Sequence, residues 1–368
     1  MLYVKPNYYN KFKCIADKCE ATCCQGWQIV VDQSSLERYE DESGAYAKTL
    51  KERIDWKEGV FKQDCHKRCA FLKDNNLCDM YEHLGEESLC VTCTNYPRHI
   101  EEFENIREIT LAISCPEVAR IILSQQEPVS FYEEELEEEE EEMDDFDPFF
   151  FLYLEDARTV LLSIIQNRSI PMAIKVVLVI NMAEEMQEII EEEELFELVD
   201  IFDKYQDQDY LTSAVTEIEK AWKSFDESER EVYEYNKAIF GRLYDLEHLD
   251  DLWEDYIEEG FQLLYADEAK AYNRKRRAFD ENGMNLEIIL EQLLVYFVFT
   301  YFCGAVYDGN VVGKIRLSVD SITILYEMFM AKWVKQEGCL SEKDIQQIVY
   351  RYSRELEHSD LNLEIMES

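Results

Sequence analysis

A chain of 368 residues, 47% hydrophobic, with 80 Asp and Glu against 37 Lys and Arg, is long enough for one large or two ordinary domains with real cores. Its formal net charge of −43 argues against a nucleic-acid partner, which demands a positive footprint. The same charge suits a basic, lysine-presenting protein, and its bland reading is solubility alone.

The first ten residues, MLYVKPNYYN, lack the apolar core of a secretory signal, so the expected setting is the cytoplasm, where thiols stay reduced. Ten of the twelve cysteines nevertheless crowd into the first 115 residues: Cys14, Cys19, Cys23, Cys24, Cys65, Cys69, Cys78, Cys90, Cys93 and Cys115. Only Cys303 and Cys339 lie beyond, where they read as ordinary hydrophobes. The asymmetry predicts a cysteine-rich module over 1–124, held together more by metal ligation than by a large core.

Within it, 27–32 (WQIVVD) and 107–114 (REITLAIS) read as short strands, and SSLERYEDES opens a helix with its serines as caps. The thiols fall into C-x4-C-x3-C-C, C-x3-C and C-x11-C-x2-C groupings, which suit zinc or an iron–sulfur cluster. Cys23 and Cys24, adjacent in sequence, point to opposite faces of extended chain and so serve two sites, or in a tight turn serve one. Cys115 precedes a helix-opening proline, where the positive pole of the helix should lower its pKa. In CTNYPRH, Tyr96, Arg98 and His99 fall near the presumed metal, and His66 is a lesser candidate.

The acidic run 133–148 centres an expected spacer over 125–148. From 149 to 368 the pattern turns helical, as in FLYLEDARTVLLSIIQ, where Leu154, Ala157, Val160, Leu161 and Ile164 line one face. Further helices are expected over 171–192, 211–225, 229–243, 249–279, 286–302, 318–336 and 342–356. The apolar stretch 293–306 is shorter than the roughly 20 residues a membrane span needs and reads as a buried core helix, with no membrane expected. The fold class is therefore mainly α: a small cysteine-rich module with short strands, then an all-α bundle. Phosphate-cradling glycine loops, an H-E-x-x-H and the C-x3-C-x2-C of radical enzymes are absent from the sequence.

FKCIADKCEATCCQGWQIVVD, CAFLKDNNLCDMYEHLGEESLCVTCTNYPR and LAISCPEVARIIL together resemble the flagellin lysine-N-methylase family, whose amino-terminal part is similar to the zinc- or iron-chelating CxxCxxCC proteins. The resemblance is specific over 12–123 and weak thereafter. It implies methyl transfer from S-adenosyl-L-methionine to lysines of flagellin or another lysine-presenting protein, with an iron–sulfur cluster of the [4Fe-4S] type, zinc being the alternative. It assigns the cluster to ligands among Cys19, Cys23, Cys24, Cys69, Cys78, Cys90, Cys93 and Cys115, with Cys14 and Cys65 also matching, and names no catalytic base or donor pocket. The long acidic spacer departs from the family and makes flagellin a less specific expectation than a protein lysine. A metal-binding interaction module without enzymatic activity is the competing reading, and a redox sensor the third.

Overall fold

The computed structural model describes residues 1–137, 146–224, 228–282 and 284–368. The protein is mainly α with a small strand-bearing amino-terminal region. In chain order the elements are β1 Leu2–Pro6, α1 Gln33–Asp41, α2 Ala47–Arg53, β2 Ile54–Asp55, β3 Val60–Phe61, α3 Asp79–Leu84, α4 Val91–Asn95, β4 Arg98–Phe103, β5 Ile106–Leu111, α5 Pro116–Leu123 and β6 Phe131–Glu135. There follow α6 Pro148–Ile165, α7 Met172–Glu191, α8 Leu198–Gln206, α9 Gln208–Ser224, α10 Ser228–Gly241, α11 Trp253–Tyr265, α12 Ala269–Asp280, α13 Leu286–Tyr301, α14 Val311–Lys335, α15 Glu342–Glu357 and α16 Asp360–Glu367.

The strands β4-β5-β1-β6 form one sheet, with β1 parallel to β5 in the register Leu2↔Ile106 and antiparallel to β6. β6 lies inside the stretch expected to be a spacer. Its Phe131 ring stacks on Phe299 of α13 at 3.9 Å, which gives an otherwise acidic strand something to bury. The centre of the acidic run, 138–145, falls outside the described residues. The expected strand at 107–114 is β5, whereas 27–32 makes only a single bridge, Val30 to Val60. Alternation there is real, since Ile29 and Val31 are buried and Val30 is exposed, but no neighbouring strand runs alongside to extend the ladder.

Packing divides the chain elsewhere than at residue 124. A small core of Ile29, Val31, Tyr39, Leu50, Phe61, Phe71 and Met80, with Cys69 and Cys90, serves the chain between 24 and 93. Phe103, Leu111, Ile113 and the apolar face of α5 instead join the large core of the helical body. The 25-residue α14 runs through that body and packs against α7, α13, α16, α10, α11 and α15. α13 is apolar on every face because every face meets protein. Leu286–Val306 has the length and hydropathy to cross a membrane, yet 83% of its most apolar window is buried. Leu293, Leu294, Phe297 and Val298 are fully covered, each worth about 1.5–3 kcal/mol.

The caps follow local chemistry. Asp32, rather than a serine, caps α1 by accepting the Ser35 N–H at 2.9 Å, and Asp147 caps α6 ahead of Pro148. The helix expected over 249–279 is broken into α11 and α12, although no glycine or proline marks the join. Tyr233 Oη donates to the carbonyls of Tyr265 and Asp267 at the break. Below it the buried Glu327 accepts from Tyr265 Oη (2.6 Å), Tyr272 Oη (2.7 Å) and Asn236 Nδ2 (3.0 Å).

Burial pushes the Glu327 carboxyl up from 4.5 to about 6. Between those values the folded state holds the extra proton. Its contribution to stability is therefore complete below about pH 4.5 and is lost as pH rises through 6, by ~2 kcal/mol. Glu327→Gln should flatten this limb in urea titrations from about pH 4.5 to 6.5. A variant with the wild-type slope would mean that another group titrates there.

Candidate functional site

The thiols are gathered by short turns and helix starts. Cys78, Cys90 and Cys115 each occupy the residue before a helix, α3, α4 and α5 in turn. Backbone N–H groups of the following turn face each sulfur and favour its thiolate: Met80 and Tyr81 toward Cys78, Thr92 and Cys93 toward Cys90, Glu117 and Val118 toward Cys115. The turn holding Cys65 and Cys69 is laid beside the first thiol loop by Cys69 N–H to the Cys24 carbonyl (2.8 Å) and Gly26 N–H to the Lys67 carbonyl (3.1 Å). Gly26 has φ +99°, a conformation side chains resist, and it turns the chain away from Cys24.

All twelve cysteines carry free thiols. Their mutual electrostatic influence sorts nine into two groups. Cys24, Cys69, Cys78, Cys90 and Cys93 form one, each opposing ionisation of its neighbours. Cys14, Cys19, Cys23 and Cys115 form the other. The adjacent pair joins them: the Cys23–Cys24 hydrogen bond lowers Cys24 to about 7 and raises Cys23, as the Cys90–Cys93 bond lowers Cys90 to about 7 and raises Cys93.

Burial pushes Cys69 up to about 12 and Cys115 up to about 11. For Cys115 this reverses the expectation from its place before Pro116, because desolvation of a buried thiol outweighs the two N–H groups aimed at it. Cys65 is exposed on its turn and outside both groups of sulfurs described above, Cys303 is buried beside Arg158, and Cys339 is exposed. Among the described residues, no three His, Cys, Asp or Glu side chains gather as a single metal ion requires.

One helix joins these loops to the body. α15 begins with a Ser341–Asp344 capping box and carries a stripe at three- and four-residue spacing that faces the thiol module. Lys343 Nζ pairs with Glu20 at 3.0 Å, Gln346 Nε2 donates to the Pro116 carbonyl at 2.7 Å, and Arg354 donates to the carbonyls of Ser114 (3.0 Å) and Ala21 (2.6 Å). Just past the helix, His358 lies 3.0 Å from Ser114 Oγ, and its ring centroid is 5.0 Å from that of Trp27. Burial pushes this histidine down to about 4, so it is neutral at pH 7. Tyr96 belongs to the same aromatic cluster. Arg98 bonds Tyr9 and the Thr94 carbonyl, while His99 pairs with Glu101 at 2.6 Å, so neither is among the thiols' bonded partners.

Between α15 and the loops at 20–26 and 66–67 opens a cleft of about 500 Å³. A strap, 249–252, forms its third wall. Glu355 accepts the Leu249 N–H (2.7 Å) and the Asp250 N–H (2.9 Å), and Lys67 of the thiol module donates to the Leu249 carbonyl. Burial pushes Glu355 up to about 7. Sequence reasoning missed α15, the strap and His358. The one available signal was the polar stripe Lys343, Gln347, Arg354 on an otherwise amphipathic helix.

The fold and site thus describe a mainly α protein in which a thiol-rich module is docked by one helix onto a helical body, with a cleft at the seam. Residues 158–368 match the family described as the FliB lysine N-methylase C-terminal domain, and the chain belongs to that family. It is 26% identical over 140 residues to the flagellar biosynthetic protein FliU of Salmonella muenchen, covering 36% of this chain and 82% of that protein. It is 25% identical over 141 residues to lysine-N-methylases of Salmonella typhimurium and Salmonella choleraesuis, again 36% of this chain but only 35% of theirs. The match thus spans about a third of each of those two enzymes. No solved structure matches.

Proposed function

We propose that this protein is an S-adenosyl-L-methionine-dependent protein-lysine N-methyltransferase with a resident thiolate-ligated iron–sulfur cluster in its amino-terminal module, acting in the cytoplasm on flagellin or another lysine-presenting protein. The observation that carries the reading is the cleft, whose walls come from the thiol loops on one side and the family-matched α15 on the other.

The donor set fits the cluster. It is all sulfur, it offers four or more thiols in each group, and the N–H groups aimed at Cys78, Cys90 and Cys115 would offset thiolate charge. That no three side chains gather around one point weighs against a single zinc ion and toward a larger cluster whose ligands stand further apart. The cluster's ligands come from Cys19, Cys23, Cys24, Cys69, Cys78, Cys90, Cys93 and Cys115, with Cys14 added by its place in the second group. When bound, the cluster supplies a redox-active or charge-bearing centre beside the cleft.

The chain's own residues supply the rest. A lysine attacks the sulfonium methyl only after losing its proton, and Glu355, buried in the cleft wall and poised near neutrality, is the carboxylate suited to take it. Trp253 and Tyr350 offer aromatic faces for a cationic donor. The protein's −43 charge would draw in a lysine-bearing surface.

The test is transfer of label from methyl-labelled S-adenosyl-L-methionine to flagellin by anaerobically purified, iron-replete protein. Labelled methyl-lysine is the expected product. A cluster-replete sample that neither binds the donor nor labels flagellin would sink the reading.

A further inference from the structure

The cleft is lined by both signs of charge, and they are separated along α15. Arg351 and Glu355 stand one helical turn apart, about 6 Å along the axis. Arg351 is exposed, beside the Tyr350 hydroxyl and close to Tyr256, whose ring stacks on Trp253 at 5.6 Å. One turn on, Glu355 spends its carboxylate on the strap's N–H groups and so fixes the backbone that presents Asp250 and Asp251 to the same cleft. Lys67 pins the strap from the opposite wall through the Leu249 carbonyl and stands 3.7 Å from Asp251. A cation and a pair of carboxylates a few ångströms apart, over an aromatic floor in a space of about 500 Å³, match a ligand that joins a carboxylate and an ammonium to a larger flat body.

We infer that this cleft holds the α-amino-acid end of the methyl donor, with Arg351 taking its carboxylate and the strap carboxylates Asp250 and Asp251 its ammonium. The inference rests on the donor reading given above and adds the orientation of the ligand and the residues that select it. Glu355 acts here as a positioning residue for the strap. A planar guanidinium meets a carboxylate through two parallel hydrogen bonds, so Arg351 should discriminate strongly for a donor that keeps its amino-acid group.

The experiment compares two compounds on intact, anaerobically purified protein by isothermal titration: S-adenosylhomocysteine, and 5′-methylthioadenosine, which keeps the nucleoside and thioether but has no amino-acid group. Arg351→Gln should weaken S-adenosylhomocysteine by about tenfold or more, the loss of one charge-assisted pair, and leave methylthioadenosine within about twofold. The double variant Asp250→Asn/Asp251→Asn should do the same from the ammonium side. If both variants bind the two compounds in the wild-type ratio, the assignment of the amino-acid end is overturned while the donor reading stands. If wild-type protein binds neither compound, the donor reading itself fails and this inference falls with it.

Discussion

Protein purified anaerobically with Cys24→Ser and Cys93→Ser is expected to lose the iron and acid-labile sulfide of the larger thiol group, along with the broad visible absorbance they produce. The two changes leave Cys69, Cys78 and Cys90, fewer than the four thiolates such a cluster usually takes. Cys24 is the sensitive choice because its charge is felt by Cys69, Cys78 and Cys93 alike. A companion variant, Cys14→Ser/Cys115→Ser, breaks the second group without touching the first. With one cluster per chain, about four irons and four sulfides should vanish in one variant and survive in the other. With two, each variant should lose half. Cys65→Ser/Cys339→Ser, two exposed sulfurs outside both groups, is the control expected to keep full content. Iron and sulfide retained by both group variants would mean that these cysteines are not the ligands.

Arg158→Ala should cost about 3–5 kcal/mol of stability, the largest effect expected from a single residue in the helical body. Arg158 on α6 and Glu108 on β5 are both buried, and the guanidinium grips the carboxylate through two nitrogens. The same guanidinium donates to the Phe299 carbonyl at 3.3 Å and lies 4.5 Å over the Phe299 ring, so one side chain ties sheet, α6 and α13 together. Truncating it leaves the Glu108 charge in a dry interior with no cation to answer it. Replacing both partners with apolar side chains, Arg158→Met with Glu108→Leu, should recover most of the loss, because it removes the stranded charge as well as the pair. Urea unfolding of the three variants checks this. A double variant as unstable as Arg158→Ala would show that the cost was lost packing and not an unpaired charge.

Much of the architecture was legible one helix at a time. The periodicity of 151–166 gives α6, the proline at 171 marks the start of α7, and the featureless hydrophobicity of 286–302 gives a helix that must be covered on all sides, as α13 is. Local pattern failed where a distant partner decides. β1 and β6 were not read because LYVKP and FYEEE form strands only by pairing with β5 and with each other. The break between α11 and α12 has no local signal, since the Tyr233 and Glu327 bonds that fix it come from other helices.

The site divides in the same way. The cysteines were conspicuous in the sequence because so many thiols at short spacing serve little purpose in a reduced chain except to hold a metal. Their division into two groups was not, since Cys14 joins Cys115 and Cys24 joins Cys93 across long stretches of chain. Nor could the sequence show that burial would outweigh the helix start at Cys115, because desolvation depends on what packs around a sulfur and the helix end depends only on its neighbours in the chain.

By itself, then, the sequence determined the thiol-rich module, the helical body and the kind of ligand those thiols suit, all properties of composition and short-range spacing. Only the tertiary structure decided that α15 would be the docking helix, that Glu355 would hold a strap against the thiol loops, and that charges at 250, 251 and 351 would share one cleft. Those facts are set by contacts between residues hundreds of positions apart, and such contacts form only once the two cores have packed.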